Sequence, residues 1–309
     1  FQMGRLLDAP LRYQRKLRRI FKDYDGDYVA LHCHTVIRGL PVLWEAKRAG
    51  IRQRIVHSHT DSLEGADHNK ARLAPVISAV TLPLATELCA CSSAAGTFSF
   101  GNRPFQVFPN TIRTPLFAYD RAAGAAVREE LGIPDDAIVV GHTGRFTYQK
   151  NHEFLIAAFA EFKALEPKAH LILVGNGPLM EPARVQAKEL GVEDAITFAG
   201  LQADVPPFLS AMDLFILPSH FEGFCISLLE AQANGLSCLA ASVIYEEVQL
   251  TDSVHLCDLD AGPRVWGERL HEIAKGGRDD SEENCRRITE AGFDTESQVR
   301  TLVDRYYLR

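Results

Sequence analysis

Ala137-Ile138-Val139-Val140-Gly141-His142-Thr143-Gly144-Arg145-Phe146-Thr147-Tyr148-Gln149-Lys150-Asn151 opens the stretch that decides the fold of this 309-residue chain. A short apolar run that halts on glycine reads as a strand buried on both faces. A helix over 151–165 follows, with Phe154, Leu155, Ala158, Phe159, Phe162 and Leu165 on one side. The alternation then repeats. A strand at His170–Val174 ends in Gly175-Asn176-Gly177-Pro178, and a helix over 179–190 is closed by Gly191. A strand at 196–198 ends at Gly200, and a strand at Leu214–Leu217 stops at Pro218. A helix over 225–234 is closed by Gly235, and a strand at Ser237–Ala241 completes the expected sheet. Strand alternating with helix implies an α/β fold with a parallel sheet.

Upstream the same rhythm is weaker. Strands are expected at 28–32, 54–57, 88–91 and 105–108, with helices at 39–49 and 69–84. Asp25-Gly26-Asp27 separates them from a basic amphipathic helix over 5–22, where Leu7, Leu11, Leu17, Ile20 and Phe21 recur among Arg12, Arg15, Lys16, Arg18, Arg19 and Lys22. Such a helix either docks on an anionic membrane surface or lays its apolar side on the core. A connector rich in breakers at 109–115 and a helix over 122–131 lead to the second unit, and helices fill most of 263–309. The expected organisation is therefore a partial first α/β domain over 1–120, a second over 121–290, and a terminal helix over 291–309. The first unit starts on a helix and offers about four strands. An N-terminal strand and its glycine loop are expected to lie outside this sequence.

Composition bounds the function. Hydrophobic residues make up 46% of the chain, ample for two cores. No run of about 18 apolar residues occurs, so no membrane-spanning helix is expected, and no secretory leader pattern opens the chain. A formal net charge of −7 argues against a nucleic-acid partner. The seven cysteines are scattered without zinc-ligand spacing and read as reduced thiols.

Ligands in open parallel sheets bind beyond the strand C-termini, and the chemically loaded loops all lie there. Arg145 and Lys150 flank the turn after Gly144, beside a helix N-terminus, which suits a diphosphate. Spacing alone leaves both this and a solvated loop pair open. Gly175 and Gly177 permit close approach of a ligand, although many turns look alike. Pro218-Ser219-His220-Phe221-Glu222-Gly223-Phe224-Cys225 ends at a helix start whose free N–H groups face the same crevice. Glu230, two turns on, shares a face with Ile226 and Leu229 and needs polar partners. Vicinal ribose hydroxyls or a basic side chain would both serve. In the first unit His32, His34, His57 and His59 sit near strand ends, with Thr60 and Asp61 after them. The two His-x-His pairs lack a third or fourth ligand at fixed spacing, so no metal site is expected.

Glu222, seven residues and Glu230, set in Pro-Ser-x-x-Glu-Gly-Phe…Leu-Glu-Ala, resemble the paired-glutamate signature of glycosyltransferase family 4. The loop from Gly144 to Asn151 resembles that family's diphosphate loop, Gly175-Asn176-Gly177-Pro178 its glycine turn, and Phe108-Pro109-Asn110 the stretch before its linker, with Thr111 in place of a glycine. Residues 244–248 and 292–294 are similar to a bacterial, EpsF-like subgroup used in exopolysaccharide and capsule synthesis. The resemblance implies a GT-B fold, two Rossmann-like domains facing across a cleft, whose last helix returns to the N-terminal domain. It implies a retaining hexosyl transfer from a nucleoside-diphosphate sugar, with a UDP-sugar as the expected donor, to a saccharide or polyprenyl-linked acceptor. No tightly bound cofactor and no metal are implied. Arg145 and Lys150 would hold the diphosphate, Glu230 the ribose, and Glu222 with the N–H groups of Gly223, Phe224 and Cys225 the sugar. His59 would be the N-domain histidine beside the reacting carbon. His57 is the alternative, because the spacing leaves the register open. The expected setting is the cytoplasm, with peripheral contact at the inner membrane face. An epimerase or hydrolase on the same fold and a non-catalytic nucleotide-binding subunit are the competing readings.

Overall fold

The computed structural model describes residues 10–23, 28–59 and 68–307. Leu7, Asp25-Gly26-Asp27, Thr60 and Asp61 lie outside them. The chain divides into two compact units. Unit 1 comprises 1–110 and 297–309, and unit 2 comprises 111–296.

Unit 1 runs α1 (Pro10–Asp23), β1 (Ala30–Cys33), α2 (Leu40–Arg48), β2 (Gln53–Ser58), α3 (His68–Thr81), β3 (Glu87–Ala90), α4 (Ser93–Phe100) and β4 (Gln106–Val107). The strands form a four-stranded parallel sheet in the order β1-β2-β3-β4. Leu17 and Phe21 of α1 are buried against Ala46 and Ile51, and Arg18 Nε donates to the buried Glu45 Oε1 over 2.9 Å. The apolar side of α1 therefore faces the core, which corrects the reading in which that side enters a membrane. Among the described residues no helix is long and apolar enough to cross one. Helix α4 was not anticipated, because Gly96 and Thr97 disfavour a helix interior and the eight residues show no amphipathic period. It forms because Ser92 Oγ accepts from Ala95 N at 3.1 Å as an N-cap, while Phe100 buries itself beside Phe105. The end of the chain belongs here too, since buried Tyr306 packs with Ile55, Cys89 and Phe108.

Unit 2 runs α5 (Arg121–Glu130), β5 (Val139–Thr143), α6 (His152–Leu165), β6 (His170–Val174), α7 (Met180–Glu189), β7 (Ile196–Gly200), α8 (Pro206–Ala211), β8 (Leu214–Leu217), α9 (Ile226–Ala233), β9 (Ser237–Ala241), β10 (Val254–Cys257), α10 (Gly262–Ile273) and α11 (Ser281–Glu290). A last helix, α12 (Thr295–Leu302), leads from unit 2 into the final stretch of unit 1. Six parallel strands lie in the order β10-β9-β8-β5-β6-β7. Every residue of β5 is buried. Successive residues feed opposite cores, Val139 with Phe215 and Leu228, Val140 with Phe159 and Trp266. The sheet does not end at β9 as expected. Val254-His255-Leu256-Cys257 adds an edge strand whose first three residues are only half-buried, and that exposure blurs the apolar signal.

The division expected near 120 falls instead between Asn110 and Thr111. Residues 111–117 are tied into unit 2. Ile112 N donates to Phe293 O (3.0 Å), Thr114 Oγ1 to Asp294 Oδ1 (3.2 Å), and Asn234 Nδ2 to Phe117 O (2.9 Å). The same contacts hold 291–296 in unit 2, so the returning tail starts at Ser297 rather than at 291. The order of strands reverses between β5 and β8. That switch point is where the loops after both strands open side by side.

Candidate active site

Lys150 leaves the loop after β5, and Glu222 leaves the loop after β8. His220 N donates to Gln149 O at 2.9 Å and stitches the two loops together. Lys150 Nζ donates to Glu222 Oε1 over 2.7 Å, and Ser219 Oγ donates to the same oxygen over 2.6 Å. Gln149 Nε2 reaches Glu222 Oε2 at 3.3 Å. The Lys150 and Glu222 side chains are only 15% and 5% exposed, so each depends on the other for its charge. Burial opposes the Lys150 ammonium, but Cys225, Glu222 and Glu230 around it hold its pKa above the ordinary value. Cys225 is itself pushed up to about 11 by burial. Its thiol is therefore neutral near pH 7, and the carboxylates are what sustain the charge.

The glycine turn supports this loop from behind. Gly175 has φ +143°, and a Cβ there would lie 1.9 Å from Gly144 O. A Cβ on Gly177 would lie 2.3 Å from Phe146 O. Gly144 N donates to Val174 O (2.9 Å) and Phe146 N to Asn176 O (3.1 Å), so the two loops run backbone against backbone. Side chains at 175 or 177 would separate them. Gly144 leaves room for His142, whose Nε2 would sit 2.6 Å from a Cβ there. His142 Nδ1 bonds Ile216 O at 2.8 Å. Burial, with His152 and Lys150 nearby, holds His142 neutral.

These loops frame a cavity of about 620 Å³ lined by Gly144, Arg145, Lys150, Gly175, Phe224, Cys225 and Glu230, together with Thr143, Asn176, Leu201, Gln202, Val205 and Ser227. Arg145 is exposed, and its guanidinium has no hydrogen bond or ion pair among the described residues. The start of α9 points its donors here, because the N–H groups of Phe224 and Cys225 have no partner among the described residues. The Glu230 carboxyl also lacks a hydrogen bond or ion pair among the described residues, and burial raises its pKa to about 7 against the pull of Lys150. The basic partner weighed for Glu230 is thus absent among the described residues, and its carboxyl faces the cavity unpaired. Phe224 stacks on Phe293, with centroids 5.5 Å apart, so the Gly292-Phe293-Asp294 ending braces one wall. A larger cavity of about 730 Å³ lies along α6 and α7, but Arg145, Lys150 and Glu230 do not line it.

The structure brings together all the expected unit 2 residues, with three qualifications. Glu222 sits behind Lys150 rather than on the cavity wall, and neither Gly177 nor Gly223 lines the cavity. Ser219 and Gln149 were missed, although the Ser-x-x-Glu spacing carried the signal for Ser219. Leu201, 81% exposed at the cavity's edge, gave none.

His59 lies in unit 1, where all four histidines meet across β1 and β2. His32 Nε2 is 3.2 Å from His57 Nδ1, and His34 Nδ1 is 2.9 Å from His59 Nε2. One ring nitrogen from each of His32, His34 and His57 lies within 4.8 Å of the others. Spacing along the chain had offered only two nitrogens at a time, and the neighbouring strands β1 and β2 bring a third candidate nitrogen beside them. Burial lowers the His57 pKa to about 3 and that of His32 to about 4, with the other histidines adding to the effect.

Residues 125–255 match the family described as glycosyl transferases, group 1. The chain is 31% identical to the putative glycosyltransferase EpsF of Bacillus subtilis (strain 168), over 96% of this chain and 79% of that protein. It is 26% identical to the UDP-Gal:alpha-D-GlcNAc-diphosphoundecaprenol alpha-1,3-galactosyltransferase of Escherichia coli over 65% of this chain and 53% of that one. The crystal structure of Anabaena HepE in complex with UDP-glucose superposes with a TM-score of 0.79 at 20% identity, covering 98% of this chain and 84% of that one. That likeness establishes the GT-B fold with two parallel-sheet, Rossmann-like domains. The EpsF identity spans nearly the whole chain, and the family's paired glutamates stand at Glu222 and Glu230: the chain belongs to the group 1 glycosyltransferases of family 4 and is a nucleotide-sugar-dependent glycosyltransferase.

Proposed function

We propose that the enzyme transfers a hexosyl group, with retention at the anomeric carbon, from a UDP-sugar to a saccharide or polyprenyl-linked acceptor during exopolysaccharide assembly. The observation that carries this reading is Glu230, a half-buried carboxyl without a hydrogen-bond partner among the described residues, on the wall of a cavity that Arg145 and Lys150 also line. Ribose hydroxyls donating to Glu230 would place the diphosphate toward the two cations. The free N–H groups of Phe224 and Cys225 would add to the same anionic field. The UDP-glucose bound by HepE and the lipid-diphosphate acceptor in the name of the Escherichia coli relative support the substrate classes.

In the step itself the bond from the anomeric carbon to the β-phosphate oxygen breaks, and a bond to the acceptor oxygen forms on the same face. The acceptor proton passes to the departing diphosphate. Lys150 and Arg145 stabilise the charge that grows on that diphosphate. Glu222 acts through Lys150, fixing its ammonium, and meets the sugar only through the adjoining 223–225 backbone. His59 keeps the role that the resemblance gives it in unit 1, tested by His59→Ala. The test of the whole reading is product analysis with UDP-sugars and oligosaccharide or prenyl-diphosphate acceptors. Retained anomeric configuration in wild type and loss of product in Lys150→Ala and Arg145→Ala support it. Normal turnover in those variants, or an inverted product, would overturn it.

A further inference from the structure

We propose that His32, His34 and His57 form a binding site for a divalent transition-metal ion of the zinc class, with His59 and Asn110 as residues that position the ligands. Phe108 O can only accept, so His57 Nε2, 3.1 Å away, must donate to it. The lone pair of His57 is then on Nδ1, where it accepts from His32 Nε2–H at 3.2 Å, and a metal ion held by both nitrogens would displace that proton. Likewise His59 Nδ1 donates to Asn110 Oδ1 at 2.8 Å, which leaves the His59 Nε2 lone pair to accept from His34 Nδ1 at 2.9 Å. That relay fixes the His34 tautomer and frees Nε2 of His34 as its ligand atom. Metal-binding histidines are oriented in this way, each giving its second N–H to a carbonyl oxygen or an equivalent acceptor.

Phe108 and Asn110 lie on one short stretch after β4, so a single turn orients two of the rings. Distances agree with the assignment. Zinc–nitrogen bonds of about 2.0–2.1 Å in tetrahedral geometry place ligand nitrogens about 3.3–3.4 Å apart. The His32–His57 pair stands at 3.2 Å, and the three-residue group spans no more than 4.8 Å. The rings of His32 and His57 are held 15° from parallel with centroids 5.3 Å apart. Small rotations about the side-chain torsions would converge the three nitrogens. Imidazole nitrogens select zinc, copper, nickel or cobalt over magnesium or calcium. Three protein ligands leave a fourth position for water or an anionic oxygen, the open arrangement of zinc sites that act on a ligand.

The test uses tag-free protein stripped with a chelator and titrated with Co²⁺, followed by the visible absorption of the ion and then by displacement with Zn²⁺. One equivalent should bind with a tetrahedral-type spectrum and raise the melting temperature. His34→Ala, at an exposed ring, should weaken binding at least about tenfold, and Asn110→Ala should weaken it to a smaller degree. Circular dichroism shows that each variant is folded. UDP binding by unit 2, read separately by calorimetry, shows that a loss of metal is not a loss of the donor site. Absence of a one-equivalent site, or unchanged affinity in both His34→Ala and His32→Ala, would overturn the proposal.

Discussion

Lys150 Nζ stands 2.7 Å from Glu222 Oε1, and this contact joins the loop after β5 to the loop after β8 at the switch point of the sheet. It makes the family's first glutamate a residue that aims a cation. Replacing Lys150 with Ala strands a buried carboxylate, which costs about 3 kcal/mol of stability. In the proposed reaction it also removes the cation that offsets negative charge on the leaving group, so kcat should fall by about 10²-fold or more. The double variant Lys150→Met/Glu222→Gln should regain most of the stability but none of the activity. Denaturant unfolding and product formation, measured side by side, separate the two effects.

Donor affinity should depend on pH through Glu230. Burial raises its pKa to about 7 from an ordinary 4.5, so near neutrality the ligand-free carboxyl is partly protonated. Ribose hydroxyls need an acceptor, and UDP affinity should therefore climb as pH rises from 6 to 8. Stability of the ligand-free protein moves in the opposite direction. A raised folded-state pKa means that the folded chain binds more protons between pH 4.5 and 7, so this group's contribution declines across that window. Glu230→Gln should flatten both profiles. Calorimetry and thermal melts over a pH series check them.

Gly175→Ala should cost about 1–3 kcal/mol, because the residue sits at φ +143° and its Cβ would collide with Gly144 O. The displaced partner is the loop proposed to hold the diphosphate, so UDP affinity should fall along with stability. An alanine variant with full affinity and an unchanged melting temperature would contradict the close backbone packing described above.

His152 is 2% exposed, stacks on Phe146 at 3.8 Å, and has neither ring nitrogen bonded. Burial, with Lys150 adding to it, lowers its pKa to about 4. The unfolded chain then takes a proton below pH 6.5 that the folded chain refuses, so stability falls as pH drops from 6.5 toward 4, by up to about 3 kcal/mol. His152→Phe should remove that loss and leave stability at pH 7 unchanged or higher. Melting temperatures of both proteins at pH 7 and pH 5 decide it.

Much of unit 2 was legible because its strands are buried on both faces and end at Gly or Pro, as β5, β6 and β8 show. The second half of the candidate site was legible for a related reason, since Glu222 and Glu230 bracket a helix start whose chemistry is local. What escaped was non-local. The role of Glu222 depends on Lys150 and Gln149, more than 70 positions away. The histidine cluster depends on the pairing of β1 with β2, which sets His32 beside His57. No spacing within either His-x-His pair encodes that meeting. β10 was missed because its residues are half-exposed, and α4 because a short helix of mostly small residues shows no amphipathic stripe.

The most direct measurement is a calorimetric titration of UDP into the wild-type protein and into Glu230→Ala and Lys150→Ala. The account predicts one equivalent bound by wild type and affinity at least about tenfold weaker in each variant, since a charged or hydrogen-bonded contact is worth about 1.5–3 kcal/mol. Equal affinity in all three proteins would contradict the assignment of this cavity as the donor site.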